Sequence, residues 1–480
     1  MPTNPESRMV KEFQPQTLPV LRQRLYHETL AQTYAQERNQ SYEPLMKDEF
    51  CIRRLMTMRN LTSYKKSLMP KEKFRAIGSF AHILVLDGVE EIPSGAALGH
   101  PFMQNADFQY LCNYSKPGGV LIILLTRKEQ LKTYLFETLK DSSGYGYGDP
   151  EMFHVDEIYG IENLKEYLWH LVSEFNAELW FGNKSGYCYR VVQEVADELK
   201  WTVQCPHLVL LYCRSLKTDY EIECIKVANV IAAQSMQDLI KEHGVNWDDH
   251  KLKAFFDYQC RNRQGHRFDD QLRVDSTNGL WLMEACCQYA NYWGSITRCW
   301  PINGRFSPPQ KVLYEILVHL RNEICKMIQE MQYPALCSGR SPLDLQAAYA
   351  VLLAKYLKDS RVLSSNYLDE HTERQICCTP NVIRHIGLVP AEGNDKLLKF
   401  SLRPRNVLTL QLTIAIPDDC IHASPEYRGV ICMLGDNLLI KDDYKVEFLT
   451  QECVSQCHEV ETLRYNGLHG ERNVLERNEA

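Results

Sequence analysis

The segment from Tyr292 to Phe306, YWGSITRCWPINGRF, constrains the fold more than any other stretch of this 480-residue chain. It is dense in aromatic residues and turn formers, whose side chains need fixed places. Thr297 and Arg298 suggest a polar turn, and the Pro and Gly residues after them close the segment. We predict a helix directly afterwards, because Ser307 offers an N-cap hydroxyl, two prolines suit the first turn, and apolar residues repeat at helical spacing from Val312.

The same segment resembles the signature of the Xaa-Pro aminopeptidases (aminopeptidase P), above all their third, mitochondrial type, which reads roughly YVSDITRTWPVNGRF. Further similarity extends over about residues 43 to 450. The resemblance implies an α/β (α+β) protein, with an N-terminal aminopeptidase P domain and a C-terminal pita-bread (creatinase/aminopeptidase) domain. The Asp of that signature is a metal ligand in the family, and Ser295 stands in its place here. Whether the chain is an enzyme therefore depends on the other ligand positions.

Length and composition exclude several classes of protein. A chain of this length should hold two domains, and the hydrophobic fraction of 45% and charged fraction of 24% are typical of globular proteins. The net charge of -7, without a basic run, argues against nucleic acid as a main partner. The longest strongly apolar run, Val120 to Leu125, is too short to span a membrane.

The cysteines and the N-terminus bear on the compartment. Eighteen cysteines occur without any CxxC pair, which favours reduced, mostly buried thiols. Cys453, Cys457 and His458 have no matching second pair, so we do not predict zinc there. The first residues carry Glu6 and Glu12 and lack an apolar core, which fits neither a signal peptide nor a clear transit peptide. The resemblance implies mitochondria, whereas the missing transit peptide favours the cytoplasm.

Apolar runs that alternate with helical patterns predict an α/β layer architecture for the N-terminal half. Arg53 and Arg54 match a pair in the family, and we interpret them as a solvated helix face. The glycine-rich stretch from Gly144 to Asp149 predicts a surface loop, because no strand precedes it and no lysine follows. The predicted strands are His82 to Leu86, Val120 to Leu125, Thr133 to Phe136, Leu179 to Phe181 and Leu208 to Tyr212; the helices are Ile161 to Phe175 and Tyr189 to Leu199.

A domain boundary is predicted near Ser215, where a helix capped by Thr218 or Asp219 begins. Its apolar stripe consists of Ile222, Ile225, Val227 and Val230. The predicted domains are a polar arm at 1–45 with one helix from Leu18 to Glu37, an aminopeptidase P N-terminal domain at 46–214, a degenerate pita-bread domain at 215–456, and a charged, disordered tail at 457–480.

Between His266 and Leu282 the chain departs from the family pattern. The family has a longer loop here, with a histidine that helps substrate binding. We interpret this segment as a shortened loop without that histidine, and His266 as an ordinary exposed residue.

In the family, two divalent ions, usually manganese, share a bridging water and polarise the scissile carbonyl. Two Asp, one His and two Glu hold them. The resemblance places these five ligands, and one substrate-contacting histidine, on positions of this chain whose residues are changed. The five ligand equivalents are Glu284, Ser295, Arg384, Gln411 and Gly435, and the second histidine becomes Ala391.

These changes predict a catalytically inactive homologue that binds no metal cofactor. We interpret Glu284 as a hydrogen-bonded remnant and expect Arg384 to pair with it across the former site. The predicted role is binding, as a homodimer or as a heterodimer with an active relative. An alternative is an active Xaa-Pro aminopeptidase with two manganese ions and a rebuilt site of Glu284, His385 and Asp436, although Asp436 should point to the opposite strand face. A third is a module that binds proline-containing peptides without cleaving them.

Overall fold

The computed structural model describes residues 42–69, 80–89, 103–137, 148–244, 246–266, 272–332, 341–363, 376, 382–392 and 397–478. The predicted arm helix from Leu18 to Glu37 and most of the glycine-rich stretch lie outside these residues. The chain divides into two compact units, 1–214 and 215–480, which are taken one at a time. No helix among the described residues is both long and apolar enough to cross a bilayer.

The N-terminal unit is built on a six-stranded mixed sheet with the order β4-β3-β2-β1-β5-β6. Strand β2 is buried along its whole length, and the helices α4 and α5 pack their apolar residues against the sheet. The strands are β1 (His82–Asp87), β2 (Val120–Leu125), β3 (Leu131–Glu137), β4 (Glu157–Gly160), β5 (Glu178–Trp180) and β6 (Val203–Gln204). The helices are α1 (Tyr42–Ser67), α2 (Ala106–Leu111), α3 (Pro150–Phe153), α4 (Leu164–Phe175), α5 (Gly186–Leu199) and α6 (His207–Ser215).

Two expectations for this unit are wrong. Arg53 and Arg54 are not a solvated face, because they are only 2% and 3% exposed. Arg53 pairs with Glu49 at 2.8 Å, and Arg54 Nε donates to the carbonyl of Leu111 at 2.7 Å, so both guanidinium groups tie α1 to the end of α2. The run from Leu208 to Tyr212 is not a strand but the middle of α6, since a short apolar run does not distinguish a strand from a buried helix.

The C-terminal unit is built on a sheet with the main order β10-β11-β12-β9-β8-β7, to which β13 adds beside β12. Its strands are β7 (Leu272–Thr277), β8 (Leu280–Tyr289), β9 (Tyr292–Pro301), β10 (Ile383–His385), β11 (Val407–Ala415), β12 (Ile431–Ile440) and β13 (Val446–Phe448). The helices are α7 (Asp219–Glu242), α8 (Asp249–Asn262), α9 (Pro308–Gln329), α10 (Pro342–Asp359) and α11 (Cys457–Asn478).

The predicted helix starts are confirmed. Helix α7 begins with a capping box, in which Thr218 Oγ1 accepts from the backbone of Glu221 and the Glu221 carboxylate accepts from the backbone of Thr218. In α9, Gln310 Oε1 accepts from the backbone of Ser307. The predicted apolar stripe on α7 is only partly correct. Ile222 and Ile225 are buried, whereas Val227 is exposed, and charged as well as apolar side chains lie along the helix.

Three further expectations for this unit are wrong. Thr297 and Arg298 form no turn but lie in the middle of β9, where every residue is buried. Part of the segment interpreted as a shortened loop is strand β7, which pairs with β8 in antiparallel register. The tail after residue 456 forms α11, and its first turns bury Cys457 and Val460 in the core.

Candidate functional site

Four residues on four neighbouring strands form one row across the C-terminal sheet. Glu284 on β8 lies opposite Thr297 on β9, Thr297 opposite Gly435 on β12, and Gly435 opposite Gln411 on β11. Residues directly opposite one another in an antiparallel ladder project from the same face. Three of the five ligand-equivalent positions therefore share one face, although 151 residues of sequence separate Glu284 on β8 from Gly435 on β12.

The next row, two residues along each strand, completes this surface. Ser295 lies opposite Cys286, and Asn437 lies opposite Thr409, which in turn lies opposite Arg384 on β10. Because side chains alternate with a period of two, this row projects from the same face as the first. All five ligand-equivalent positions are thus brought together, and we call the surface formed by the two rows the site face.

The site face is the more exposed side of the sheet. On β11, Gln411, Thr413 and Ala415 are half-buried, whereas Leu412 and Ile414 between them are buried in the core. Glu284 and Cys286 on β8 are half-buried in the same way. Solvent can therefore reach the half-buried residues at the edges of the site face, whereas its middle, with Ser295, Thr297 and Thr409, is buried.

A network of neutral hydrogen bonds occupies the middle of the site face. Ser295 Oγ and Thr409 Oγ1 both donate to Asn437 Oδ1 at 2.9 Å, and the two hydroxyl oxygens are 3.3 Å apart. Three short uncharged side chains thus share hydrogen bonds where the family pattern has an aspartate, although the Nδ2 of Asn437 is buried without a partner among the described residues. Such a network stabilises the buried hydroxyls but carries no net charge.

The predicted pairing of Arg384 with Glu284 is wrong. Arg384 Nη2 donates instead to Gln411 Oε1 at 2.7 Å, and three strands lie between β10 and β8. No ion pair joins Arg384 to Glu284, although both residues lie in the described part of the chain. The Nε of Arg384 is buried without a hydrogen-bond partner within the described part of the chain.

Gly435 leaves no room for a side chain. A Cβ added there would lie 2.7 Å from the Cβ of Thr297 and 2.8 Å from its Oγ1, distances that real Cβ atoms essentially never show. Thr297 is β-branched and therefore stiff at χ1, so it cannot simply swing away. The space in which a carboxylate at position 435 would begin is filled.

The set proposed for a rebuilt site is not brought together. Asp436 points to the opposite face from Gly435, as predicted, and its carboxylate contacts Arg298 at 2.7 Å and Arg321 at 2.8 Å. Burial alone would raise the pKa of Asp436, but the two guanidinium groups outweigh burial and lower it to about 2.

His385 also alternates away from the site face. It is buried beside the Lys217–Glu392 ion pair, and burial, reinforced by Lys217, lowers its pKa to about 3. Glu284 is therefore separated from both other members of the proposed set.

The donors on the site face do not fit a pair of divalent ions. Glu284 is its one carboxylate among the five positions, and a guanidinium has no lone pair to give. Among the residues that the structure describes, no cluster of three or more His, Cys, Asp or Glu side chains could hold a metal ion. Ala391, at the position of the substrate histidine, is exposed in the turn after β10 and offers no polar side chain.

Sequence reasoning singled out five residues that strand register brings to one face, but it missed their neighbours. Thr297, Thr409 and Asn437 form much of the site face, and none was singled out for a role there. The signal that could have found them is strand register, since Thr297 is two residues from Ser295 and Asn437 is two residues from Gly435 on the same face.

Comparison with known proteins identifies the scaffold. The model of metallopeptidase family M24 matches residues 223–441. Xaa-Pro aminopeptidase 3 of Homo sapiens is 23% identical over 437 residues, which cover 83% of this chain and 83% of the relative. The mitochondrial intermediate cleaving peptidase 55 of Arabidopsis thaliana is 24% identical over 400 residues, which cover 77% and 76%.

Solved structures show the same architecture. The low-pH form of aminopeptidase P from E. coli superposes with a TM-score of 0.72 at 19% identity, and covers 88% of this chain and 98% of that one. Proline aminopeptidase P II from Yersinia pestis gives a TM-score of 0.70 at 19% identity, with 87% and 99% covered. The fold is therefore an N-terminal domain followed by a pita-bread domain, as predicted.

Proposed function

The chain belongs to the aminopeptidase P family, and we propose that it is a member without metal-dependent peptidase activity that acts by binding. The observation that carries this proposal is the site face, where the five ligand-equivalent positions are Glu284, Ser295, Arg384, Gln411 and Gly435. These five residues lie on one face of one sheet, as the strand register shows, so their side chains together decide what this surface can bind.

Charge balance supports the proposal. Two divalent ions bring four positive charges, which a two-metal site offsets with carboxylates that also bridge the metals. Across the five positions, Glu284 contributes one negative charge and Arg384 one positive charge, so their formal sum is zero. A permanent cation on the site face also repels a metal ion directly.

The intact scaffold supports a role in binding. Strands β8 and β9 pair along their whole length, as do β11 and β12, and β9 joins β12 at Thr297 and Gly435, so the sheet is intact at the site face. A folded, solvent-accessible surface can serve as a structural or regulatory partner. We propose that the partner is a second copy of this chain or an active relative, in a dimer, and that proline-containing peptides are a further class of ligand.

The first test is the metal content of the purified chain after dialysis against excess manganese and then against metal-free buffer. E. coli aminopeptidase P, treated in parallel, is the matched positive control. We expect the control to retain manganese and this chain to retain none. About two ions per chain would refute the proposal, because that is the stoichiometry of a two-metal mechanism.

A second test separates the binding roles. Light scattering of the chain, alone and mixed with an active relative, measures homodimers and heterodimers. Calorimetric titration with a proline-containing peptide, followed by mass spectrometry of the same sample, measures affinity and cleavage together. Affinity without cleavage would select peptide binding, and cleavage that persists after rigorous removal of host peptidases would overturn the inactive assignment.

A further inference from the structure

A cavity of about 340 Å³ lies in the C-terminal unit, away from the site face. Its wall includes Arg298 and Asp436, which project from the opposite side of the sheet, together with Arg321 of α9 and Phe448 of β13. The segment from 450 to 456 closes another side. We call this space the rear cavity.

The floor of the rear cavity holds more positive than negative charge. Arg298, Arg321 and Asp436 are all less than a tenth exposed, and the single carboxylate is shared between the two guanidinium groups. The hydroxyl of Thr450 also donates to Asp436, at 2.7 Å. One positive charge is therefore left without a buried counter-charge among these groups, and such a charge is costly unless another group pairs with it.

Of the two guanidinium groups, that of Arg321 has an unused hydrogen-bond donor. Arg298 also donates to four backbone carbonyls, those of Thr297, Gly435, Cys453 and Val454, so its donors are used. Arg321 donates to Asp436, and its Nε is buried without a hydrogen-bond partner among the described residues. The ring of Phe448, 5.0 Å from its Cζ, supports the guanidinium plane.

The rim of the rear cavity has the opposite sign. Glu452 is exposed, and Glu459 is half-buried with one oxygen accepting from the backbones of Ser455 and Gln456. A simple anion would be attracted by the floor and repelled by this rim. A molecule with a carboxylate at one end and an ammonium at the other matches both, because each end meets the opposite charge.

We propose that the rear cavity binds a small zwitterion, a free amino acid or a dipeptide, with its carboxylate on Arg321 and its ammonium toward Glu452 and Glu459. The planar fork of a guanidinium suits a carboxylate and makes charge-assisted hydrogen bonds. The cavity volume is ample for a molecule of this size. The proposal is independent of the site face and of the loss of peptidase activity.

Calorimetric titration of the full chain with three matched probes tests the charge pattern. The probes are Ala-Ala, its C-terminal amide, which lacks the carboxylate, and its N-acetyl form, which lacks the ammonium. We expect Ala-Ala to bind, the amide to bind at least tenfold more weakly, and the acetylated form to lose a smaller factor. No binding of Ala-Ala, or equal binding of Ala-Ala and the amide, would overturn the proposal.

Variants then locate the site. Arg321→Gln should weaken Ala-Ala at least tenfold, whereas the matched control Arg384→Gln, on the site face, should leave its affinity unchanged. If only Arg384→Gln lost binding, the ligand would bind at the site face and the proposal would be refuted. If Arg321→Gln does not fold, the exposed Glu452→Gln decides, because it should weaken Ala-Ala but leave the acetylated probe unaffected.

Discussion

Replacing Asp436 with Asn isolates the contribution of one buried carboxylate to stability. Asp436 accepts from Arg298, Arg321 and Thr450, and it is 2% exposed. The amide keeps the size of the side chain but removes its charge, and it leaves two buried guanidinium groups without an anion. Removing one partner of a buried ion pair typically costs about 3–5 kcal/mol, so we expect a loss of that order at neutral pH.

The pKa of Asp436 gives a second magnitude with a definite sign. Its folded value of about 2 lies below the unfolded value near 3.8. A depressed carboxyl pKa contributes stability that is fully present above the unfolded pKa and is lost as pH falls through the folded pKa. At about 1.4 kcal/mol per pH unit, this contribution is roughly 2–3 kcal/mol, and it should disappear between about pH 5 and pH 2.

Urea denaturation followed by circular dichroism at several pH values between 7 and 2.5 measures both effects. The wild-type chain should lose more stability on acidification than Asp436→Asn does. Asp419→Asn is the control, because Asp419 is exposed on a turn and its replacement should follow the wild-type curve. If the pH dependence of Asp436→Asn were the same as that of the wild type, Asp436 would not be ionised against the two arginines and the reasoning would fail.

Three further changes test other parts of the C-terminal unit. Gly294→Ala would place a Cβ 2.6 Å from the backbone of α7 and should lower the free energy of unfolding in urea by about 1–3 kcal/mol. Gly182→Ala is the control, because its nearest contact would be at 3.6 Å and it should change stability little. Equal losses in the two variants would contradict the close approach of Gly294 to α7. Lys217→Met leaves Glu392 buried without its cation and should cost about 3–5 kcal/mol, and a double variant with Glu392→Leu should recover part of this loss. The pKa of His385, lowered to about 3 by burial, means that it stabilises the fold above pH 6.5 and loses this contribution as pH falls toward 3. His385→Leu should therefore flatten the stability profile between pH 6 and 4 in thermal unfolding, and an unchanged slope would contradict its neutral burial.

Local patterns predicted the elements well where length and capping agreed. The capping residues of α7 and α9 and four of the five predicted N-terminal strands are where the sequence placed them. The errors arose where a distant partner decides the structure. Arg53 and Arg54 appear as a surface pair in sequence, because nothing nearby shows that α2, about 57 residues away, supplies carbonyl acceptors.

The candidate site shows the same limit. Flanking motifs predicted five ligand-equivalent positions from spacing along the chain, and strand register brings these five residues to one face of the sheet. The distance between strands is not visible, so the pairing of Arg384 with Glu284 was predicted across three intervening strands. Thr297 and Arg298 were assigned to a turn because both residues are polar. Arg298 is instead buried, and its guanidinium pairs with the carboxylate of Asp436 on the neighbouring strand.

The tight contact between Gly435 and Thr297 limits how the site face can vary. Main-chain hydrogen bonds hold the strands together, so most positions in the two rows can exchange side chains without altering the pairing. Position 435 differs, because the first atom of any side chain there would lie 2.7 Å from the Cβ of Thr297. A larger residue would therefore fit only with a local shift of β9 against β12, and glycine is the residue that lets these two strands lie this close together.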